Sequence, residues 1–267
     1  MSHLILAIES SCDDSSMAIL RDDQVLANLT FDQKIHQKYG GVVPEWASRQ
    51  HFEAMLPLYQ EVCQQAGIRA GELNAIAVTQ GPGLMGSLVV GLGFAKGLCL
   101  GLGIPLLPVN HLEAHVMSLL IDEPRPAFPF LCLTVSGGHT MLVLVRGIGE
   151  MELLGTTIDD AAGEAFDKIG KMLGLTFPGG PEIDRLAAQG QAVFKFPVSK
   201  AGGHNFSFSG LKTSVLYFLK KMTAEDPDFI HKNLQNLCAS AQATIIEMLT
   251  RSLMGLAKEM NISQIGI

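Results

Sequence analysis

The stretch LILAIESSCDDSS, residues 4–16, decides the fold of this chain. Its first five residues, 4–8, form a continuous apolar run, which is typical of a buried strand. The polar residues 9–16 predict a turn, and residues 17–20 and 25–30 predict two further strands. A turn that carries carboxylates and hydroxyls between strands can hold a phosphate and its magnesium ion. An ordinary hairpin turn rich in Asp and Ser would use the same residues.

The second half of the chain repeats this arrangement. Residues 130–135 predict a strand, the Ser-Gly-Gly-His sequence at 136–139 predicts a tight turn, and residues 140–145 and 151–157 predict two more strands. The bare backbone N–H groups of a Ser-Gly-Gly turn suit a phosphate, although a plain hairpin would also use these residues. The repetition raises the probability of a nucleotide site.

The repetition of this pattern in both halves predicts two related lobes. We expect an α/β protein with a first lobe at residues 1–125 and a second at 126–267, facing each other across a cleft. The strand–turn–strand device in both halves is the one by which actin-like and sugar-kinase-like ATPases hold nucleotide.

Composition limits the classes of function. The chain has 267 residues, of which 48% are hydrophobic and 17% charged, so we expect a compact globular protein. The net charge of −7 excludes nucleic-acid binding through bulk charge and requires a local patch or a partner. Five dispersed cysteines without a Cys-x-x-Cys pair predict reduced thiols in a cytoplasmic protein. No signal peptide is recognisable, and the apolar residues 84–109, which include Lys96 and Pro105, predict a buried helix, a turn and a strand rather than a membrane span.

The sequence NHLEAH, residues 110–115, is the strongest candidate for a metal site. In a helix capped by Asn110, His111 and His115 lie one turn apart and can share zinc or iron. The apolar strand at 104–109 ends at the pair, where ligand sites of α/β sheets gather. Zinc proteases place the general base directly after the first His, whereas Glu113 lies two positions on, which disfavours proteolysis. Two polar residues on an exposed helix are the alternative.

Further acidic residues follow in the second half. Residues 158–173 predict an N-capped helix, 177–181 a rigid loop and 182–189 another helix. Asp167 and Asp184, brought together by that loop, are candidates for binding ribose hydroxyls, or they cap and solubilise their helices. The Gly-rich loop at 80–87 lacks the pattern of a P-loop and is a weak phosphate signal.

A basic segment stands out in the acidic chain. Residues 195–221 contain five lysines and no acidic residue, interleaved with aromatic residues. Lysines beside aromatic rings are typical of a nucleic-acid contact, although some of these rings must belong to the core. Lys195, Lys200 and Lys212 are the candidate contacts.

Taken together, these motifs resemble a known family, the tRNA threonylcarbamoyladenosine transferases of the TsaD type, once described as O-sialoglycoprotein endopeptidases. The match runs in order through essentially all 267 residues. It rests on the motifs ESSCDD at 9–14, YGGVVPE at 39–45, QGPGL at 80–84, NHLEAH at 110–115, SGGHT at 136–140, GGP at 179–181 and FSFSGLKT at 206–213.

The resemblance implies a two-lobed, actin-like ATPase fold with duplicated mixed-sheet lobes. It implies transfer of threonylcarbamoyl from threonylcarbamoyl-adenylate to N6 of the adenosine 3′ of the anticodon in tRNAs that read codons beginning with A. It also implies iron or zinc on His111 and His115. The adenylate would contact Thr134, Val135, Ser136, Gly137, Gly138, Asp167, Gly180 and Asp184.

The resemblance further implies two partners in bacteria, a smaller paralogous protein and a P-loop ATPase. A homodimer and bound ATP with magnesium remain open. Within this framework Glu9, Asp13 and His139 are candidate catalytic residues, and Lys195, Lys200 and Lys212 are the candidates to face tRNA.

One departure from the family pattern concerns the end of the sequence. Family members continue past residue 267 with a third metal ligand, an Asp, and an Asn near the adenylate. We therefore expect a C-terminally truncated fold with weakened metal binding and little activity. Three rival functions stay open: a small-molecule kinase or ATPase of the same fold, a metalloprotease, and a non-catalytic scaffold that binds nucleotide.

Overall fold

A computed structural model describes residues 2–198 and 201–267, and the chain divides into two compact units, Met1–Ile121 and Asp122–Ile267. Each unit contains one mixed β-sheet with its own helices and its own hydrophobic core. The predicted α/β class with a mixed sheet in each half is therefore confirmed.

The sheet of the first unit has five strands in the order β3-β2-β1-β4-β5. Strands β1 to β3 are antiparallel neighbours, whereas β4 and β5 run parallel to β1. The strands are β1 Leu4–Glu9, β2 Asp14–Arg21, β3 Gln24–Asp32, β4 Ala75–Gly81 and β5 Leu106–Asn110. Three helices follow the strands: α1 Pro44–Ala66, α2 Met85–Leu102 and α3 His111–Met117. Short 3-10 helices occupy Lys34–Tyr39, Ala70–Glu72 and Ser118–Leu120.

Side chains alternate between the two faces of this sheet. Leu6, Ile19 and Ile76 point to one face and are fully buried in the core that α1 and α2 cover. The opposite face carries small residues at the neighbouring positions, including Ala7 and Ala77, which are paired in register. Because successive residues of a strand point to opposite faces, residues 4–8 of β1 supply side chains both to the core and to the lining of a cavity.

Helix α2 departs from the expectation of a buried helix. Leu88, Ala95 and Cys99 pack inward, but Met85 and Leu100 are 76% and 86% exposed. Only 28% of the helix is buried, and by length and composition alone it is apolar enough to cross a membrane. Such a test is weak for a single helix. The prediction that this helix is buried is therefore only half right. One face of α2 packs on the sheet, and the other face is apolar and exposed.

The sheet of the second unit has four strands in the order β8-β7-β6-β9. The strands are β6 Phe130–Val135, β7 Thr140–Gly147, β8 Glu150–Thr156 and β9 Ile265–Gly266. β6, β7 and β8 are antiparallel, and β9 is parallel to β6, so the order matches that of the first four strands in the first unit. The helices are α4 Ala162–Met172, α5 Gly179–Ala187, α6 Ser209–Glu225 and α7 Phe229–Met260, which is kinked at Asn233.

The aromatic residues of the basic segment 195–221 belong mainly to the core. Phe206 and Phe208 are 3% and 0% exposed. Phe194 and Phe196 pack on Phe218 of α6, with ring centroids 5.2 and 5.6 Å apart. The expectation that these rings offer stacking surfaces to nucleic acid is wrong for the phenylalanines, because burying them removes a large apolar area from water.

The predicted N-cap of the helix at 158–173 is also wrong in detail. Helix α4 begins at Ala162, and Ala161 provides no side-chain cap. Asp159 instead caps α6: its carboxylate accepts hydrogen bonds from Phe208 N at 2.8 Å and from the hydroxyls of Ser207 and Ser209 at 2.6 and 2.7 Å. Burial raises the pKa of Asp159, but these donors outweigh burial and leave it below the usual value.

We predict that Asp159→Ala destabilises the protein by about 1–2 kcal/mol at neutral pH, because it removes the acceptor for the first N–H groups of α6. Because the pKa of Asp159 is lower in the folded protein than its ordinary value of 3.8, the stabilisation is fully present at pH values above 3.8. It is lost as the pH falls through the pKa of the folded state. Urea unfolding of both proteins at pH 7 and pH 3 measures the difference. A difference in unfolding free energy that does not shrink at pH 3 would contradict the assignment.

Candidate functional site

The histidine pair lies where β5 passes into α3. Asn110 ends β5, and its side-chain oxygen accepts hydrogen bonds from Leu112 N at 2.9 Å and Glu113 N at 3.2 Å. The predicted N-cap is therefore confirmed. Since α3 begins directly at His111, the cap fixes the direction in which His111 and His115 leave the sheet.

The two imidazole rings face each other. His111 Nε2 and His115 Nε2 are 3.1 Å apart, and the ring planes cross at 77°. Nitrogen ligands of a zinc ion lie about 2.0–2.1 Å from the metal, so two of them are about 3.3 Å apart in a tetrahedral site. The donor atoms thus have the type and spacing that a shared transition metal requires. Within residues 2–198 and 201–267, no group of three or more His, Cys, Asp and Glu side chains is arranged to hold a metal ion.

Glu9 contacts the ring nitrogen of His111 that does not face His115. Its Oε2 lies 3.2 Å from His111 Nδ1 and 2.5 Å from the hydroxyl of Thr79, while its Oε1 accepts the backbone N–H of Ser11. Burial raises the pKa of this carboxyl, but the hydrogen bonds from His111, Ser11 and Thr79 outweigh it and lower the pKa to about 2. An ionised carboxylate accepts the Nδ1 proton of His111, so that Nε2 is the ring nitrogen that carries the lone pair a metal would bind. Glu9 is therefore placed to orient His111, whereas a base of pKa about 2 is poorly matched to proton transfer near neutral pH.

The turn after β1 is held by the start of α2. Leu84 N donates to the carbonyl of Ser11 at 2.7 Å, and the hydroxyl of Ser87 donates to the carbonyl of Cys12 at 3.0 Å. Gly83 permits this approach, because a Cβ there would lie 2.5 Å from the carbonyl oxygen of Ser11. The weak Gly-rich loop of the sequence thus has a packing role beside the turn.

His51 of α1 completes this support. Its Nε2 lies 2.9 Å from the carbonyl of Cys12 and its Nδ1 lies 2.6 Å from the hydroxyl of Ser15. A carbonyl only accepts, so Nε2 carries the proton and Nδ1 accepts from Ser15. Burial lowers the pKa of His51, which keeps this neutral tautomer. Sequence reasoning missed His51, although its spacing from Ala47 and Leu58 puts it on the buried face of α1.

A cavity of about 460 Å³ opens beside the pair, on the sheet face that α1 and α2 leave free. Glu9, Thr79, His111 and His115 line one part of it. The first three strands add small and polar residues to the lining, including Ala7, Ala18, Ser16, Asn28 and Thr30.

The Ser-Gly-Gly-His turn of the second unit joins β6 to β7. Ser136 N donates to the carbonyl of His139 at 2.8 Å, and His139 N donates to the hydroxyl of Ser136 at 3.1 Å. Helix α4 starts against this turn, since Gly163 N donates to the carbonyl of Ser136 at 3.2 Å. Gly137 and Gly138 are exposed, and the space beside them is open. Thr134 is buried, whereas Val135 next to it is 39% exposed.

The other nucleotide candidates lie on α4 and α5. Asp167 accepts the backbone N–H of Gly179 at 2.7 Å, and Gly180 follows in the first turn of α5. Burial raises the pKa of Asp167 despite the N–H groups of Gly179 and Gly180. Asp184 accepts a hydrogen bond from Gln242 of α7 at 2.6 Å. The structure thus gives both carboxylates helix-anchoring contacts, and their binding of ribose stays a prediction.

The remaining candidates are dispersed. Asp13 is half-buried in the turn after β1, where the cysteine beside it, Cys12, has its pKa raised to about 12 by burial and by this carboxylate. Lys195 is exposed, and Lys212 donates to Asp160 at 2.9 Å. Lys200 lies outside the described residues.

We predict that Glu9→Gln weakens metal binding to the histidine pair about 10- to 100-fold, because the carboxylate no longer fixes the tautomer of His111. Glu113→Gln on the exposed side of α3 is the matched control and leaves affinity unchanged. Competition for Zn²⁺ against a chromophoric chelator measures both. Equal affinities of the Glu9→Gln variant and the wild type would refute this role.

Comparison with known proteins places the chain in a family. A sequence model of the TsaD family, tRNA N6-adenosine threonylcarbamoyltransferase, matches residues 24–267. The protein of that name from Porphyromonas gingivalis is 53% identical over 270 residues, which cover 99% of this chain and 79% of the relative. The one from Cytophaga hutchinsonii is 50% identical, covering 100% of this chain and 78% of the relative.

A solved structure agrees on the fold. Component A of (R)-2-hydroxyglutaryl-CoA dehydratase from Acidaminococcus fermentans superimposes with a TM-score of 0.53 at 15% identity, covering 98% of this chain and 80% of that one. At this identity the likeness concerns the fold alone, which is that of the actin-like ATPases. The family match and the two close relatives show that this chain belongs to the tRNA N6-adenosine threonylcarbamoyltransferase family.

Proposed function

We propose that this chain transfers a threonylcarbamoyl group from threonylcarbamoyl-adenylate to N6 of the adenosine 3′ of the anticodon in tRNAs reading codons that begin with A. The observation that carries the proposal is the identity of about half of all residues, over nearly the whole chain, with relatives named for this transfer. The fold and the two polar strand ends described above support it, since they supply groups for a metal and for a nucleotide.

The reaction is an acyl transfer. N6 of adenosine attacks the carbonyl carbon of the threonylcarbamoyl group, a C–N bond forms, and the bond from that carbon to the phosphate oxygen of AMP breaks. The amine gives up one proton, and AMP leaves with the electron pair of the broken bond. The adenine amine is a weak nucleophile, so orientation of both substrates and the activated donor supply most of the rate. AMP is a good leaving group, and no covalent enzyme intermediate is required.

We assign one divalent metal, iron or zinc, to His111 and His115. Their Nε2 atoms lie 3.1 Å apart, and Glu9 accepts the remaining ring proton of His111, so the pair supplies two of the ligands that such an ion needs. A bound metal of this kind would act as a Lewis acid toward a carbonyl oxygen. The chain's own contribution is to hold both rings in place, through the cap by Asn110 and the carboxylate of Glu9.

We assign the adenylate to the second unit. The exposed N–H groups of Gly137 and Gly138 and the hydroxyl of Ser136 suit its phosphate, beside the N-terminal end of α4. Thr134 and Val135 lead into that turn from β6. Asp167, Gly180 and Asp184 are the proposed contacts to the nucleoside, through hydrogen bonds to its ribose hydroxyls. ATP with magnesium is the alternative ligand for the same groups.

We further propose the family's smaller paralogous protein and P-loop ATPase as partners, and a homodimer as a possible assembly. The five cysteines are free thiols in the structure, which suits a reducing compartment and supports a cytoplasmic location. His139 and Asp13 remain candidates for assisting proton transfer.

We predict that this chain forms threonylcarbamoyladenosine in unmodified tRNA and that His111→Ala lowers the rate by about 100-fold or more, the scale of several kcal/mol of lost charge stabilisation. The assay uses the chain with bacterial partner proteins, threonine, bicarbonate and ATP, and mass spectrometry of the digested tRNA. His231→Ala, an exposed histidine of α7, is the control and retains activity.

Two outcomes would contradict the proposal. Hydrolysis of ATP that needs neither tRNA nor partners, without modified adenosine, would favour a kinase or ATPase of the same fold. Nucleotide binding without either product would favour a non-catalytic scaffold.

A further inference from the structure

The outward face of α6 combines basic and aromatic side chains. Leu211, Val215 and Leu219 pack into the core at intervals of four residues. The opposite face carries Tyr217, which is 66% exposed, and Lys220, which is one turn further on. The neighbouring Lys221 and Thr213 are also exposed on this side.

These lysines lack the ion pairs that occupy other lysines of the second unit. Lys168 and Lys212 both donate to Asp160, at 2.6 and 2.9 Å. Among the described residues, neither Lys220 nor Lys221 lies within 4.0 Å of a carboxylate oxygen, although Glu225 is one helical turn beyond Lys221. Exposed charges without a partner remain available to an incoming anion.

Lys195 joins the same surface through the core beneath it. Phe194 and Phe196, on either side of Lys195, both pack on the ring of Phe218 in α6. Lys195 itself is exposed, whereas Phe196 beside it is buried. These ring contacts therefore hold Lys195 beside α6.

We propose that Lys195, Tyr217, Lys220 and Lys221 form a contact surface for RNA, which we call the α6 surface. The lysines neutralise backbone phosphates, and Tyr217 stacks on an unpaired base. Since the net charge of the chain is −7, bulk charge opposes such binding and a local basic surface is required. The inference rests on the proposed function for its choice of tRNA as the RNA.

The same observations assign Lys212 a different part. Asp160 accepts hydrogen bonds from Lys168 of α4 and Lys212 of α6, and the adjacent Asp159 caps α6. Burial raises the pKa of Asp160, but the two ammonium groups outweigh burial and lower it. Lys212 and Lys168 thus connect α6 to α4 through Asp160. We therefore assign the phosphate contacts on α6 to Lys220 and Lys221 instead.

The test measures binding of unmodified tRNA to the whole chain over a range of salt concentrations. We expect Lys220→Ala/Lys221→Ala to weaken binding at least tenfold at low salt. Removing two phosphate contacts also makes the slope of log K against log salt shallower by about 1.4 to 1.8. Lys34→Ala/Lys38→Ala removes two exposed lysines from the first unit as the matched control and leaves both quantities unchanged.

The tyrosine provides a second, independent readout. We expect Tyr217→Ala to weaken binding about tenfold and Tyr217→Phe to retain it, because stacking needs the ring and not the hydroxyl. Circular dichroism confirms that each variant is folded.

Two results would overturn the proposal. One is a wild-type chain that forms modified adenosine but whose tRNA affinity is the same in the Lys220→Ala/Lys221→Ala variant, which leaves the transferase intact and removes the α6 surface as an RNA contact. The other is equal loss in the Lys34→Ala/Lys38→Ala control, which reduces the effect to overall charge. Absence of modification by the wild type with intact, lysine-dependent tRNA binding would instead count against the transferase alone.

Discussion

The hydrogen bonding of one partly buried carboxylate, that of Glu9 at the end of β1, is the constraint on which the site of the first unit depends. An ionised carboxylate away from water costs several kcal/mol unless hydrogen-bond donors surround it. Here the donors come from three segments: Ser11 in the turn after β1, Thr79 at the end of β4 and His111 after β5. All three contacts form only when these strand ends meet in register, so the orientation of His111 depends on the fold of the sheet.

The support around that carboxylate explains several residues with no part in the chemistry. The carbonyl of Cys12 accepts from Ser87 of α2 and His51 of α1, so both helices that cover the core also hold the turn. Both donors are fully buried, where an unsatisfied polar group would be costly. Packing of the core and shape of the polar turn are therefore coupled, and a change in either alters the position of Glu9.

The two units share one strand order, and the sites that we propose on them differ in kind. In the first unit the proposed site consists of side chains, one carboxylate and two imidazoles. In the second, the turn between β6 and β7 offers backbone N–H groups, and side chains serve to fix helices: Asp167 anchors α5, and Asp159 caps α6. The difference suits a metal in the first unit and a phosphate in the second, because imidazole ligates transition metals while backbone N–H groups bind anions without selecting a side chain.

Much of this protein follows from its sequence alone. The strand–turn–strand repeats, the cap by Asn110 and the pairing of His111 with His115 on one helical turn depend on local periodicity and short-range hydrogen bonds, which a linear pattern records. The partners of Glu9, the burial of His51, the capping of α6 by Asp159 and the core position of Phe206 and Phe208 were decided by tertiary structure. Apart from the bond between Ser11 and Glu9, these contacts join residues tens of positions apart in sequence. Each is selected by the need to satisfy a polar group or bury a ring, which no local pattern encodes.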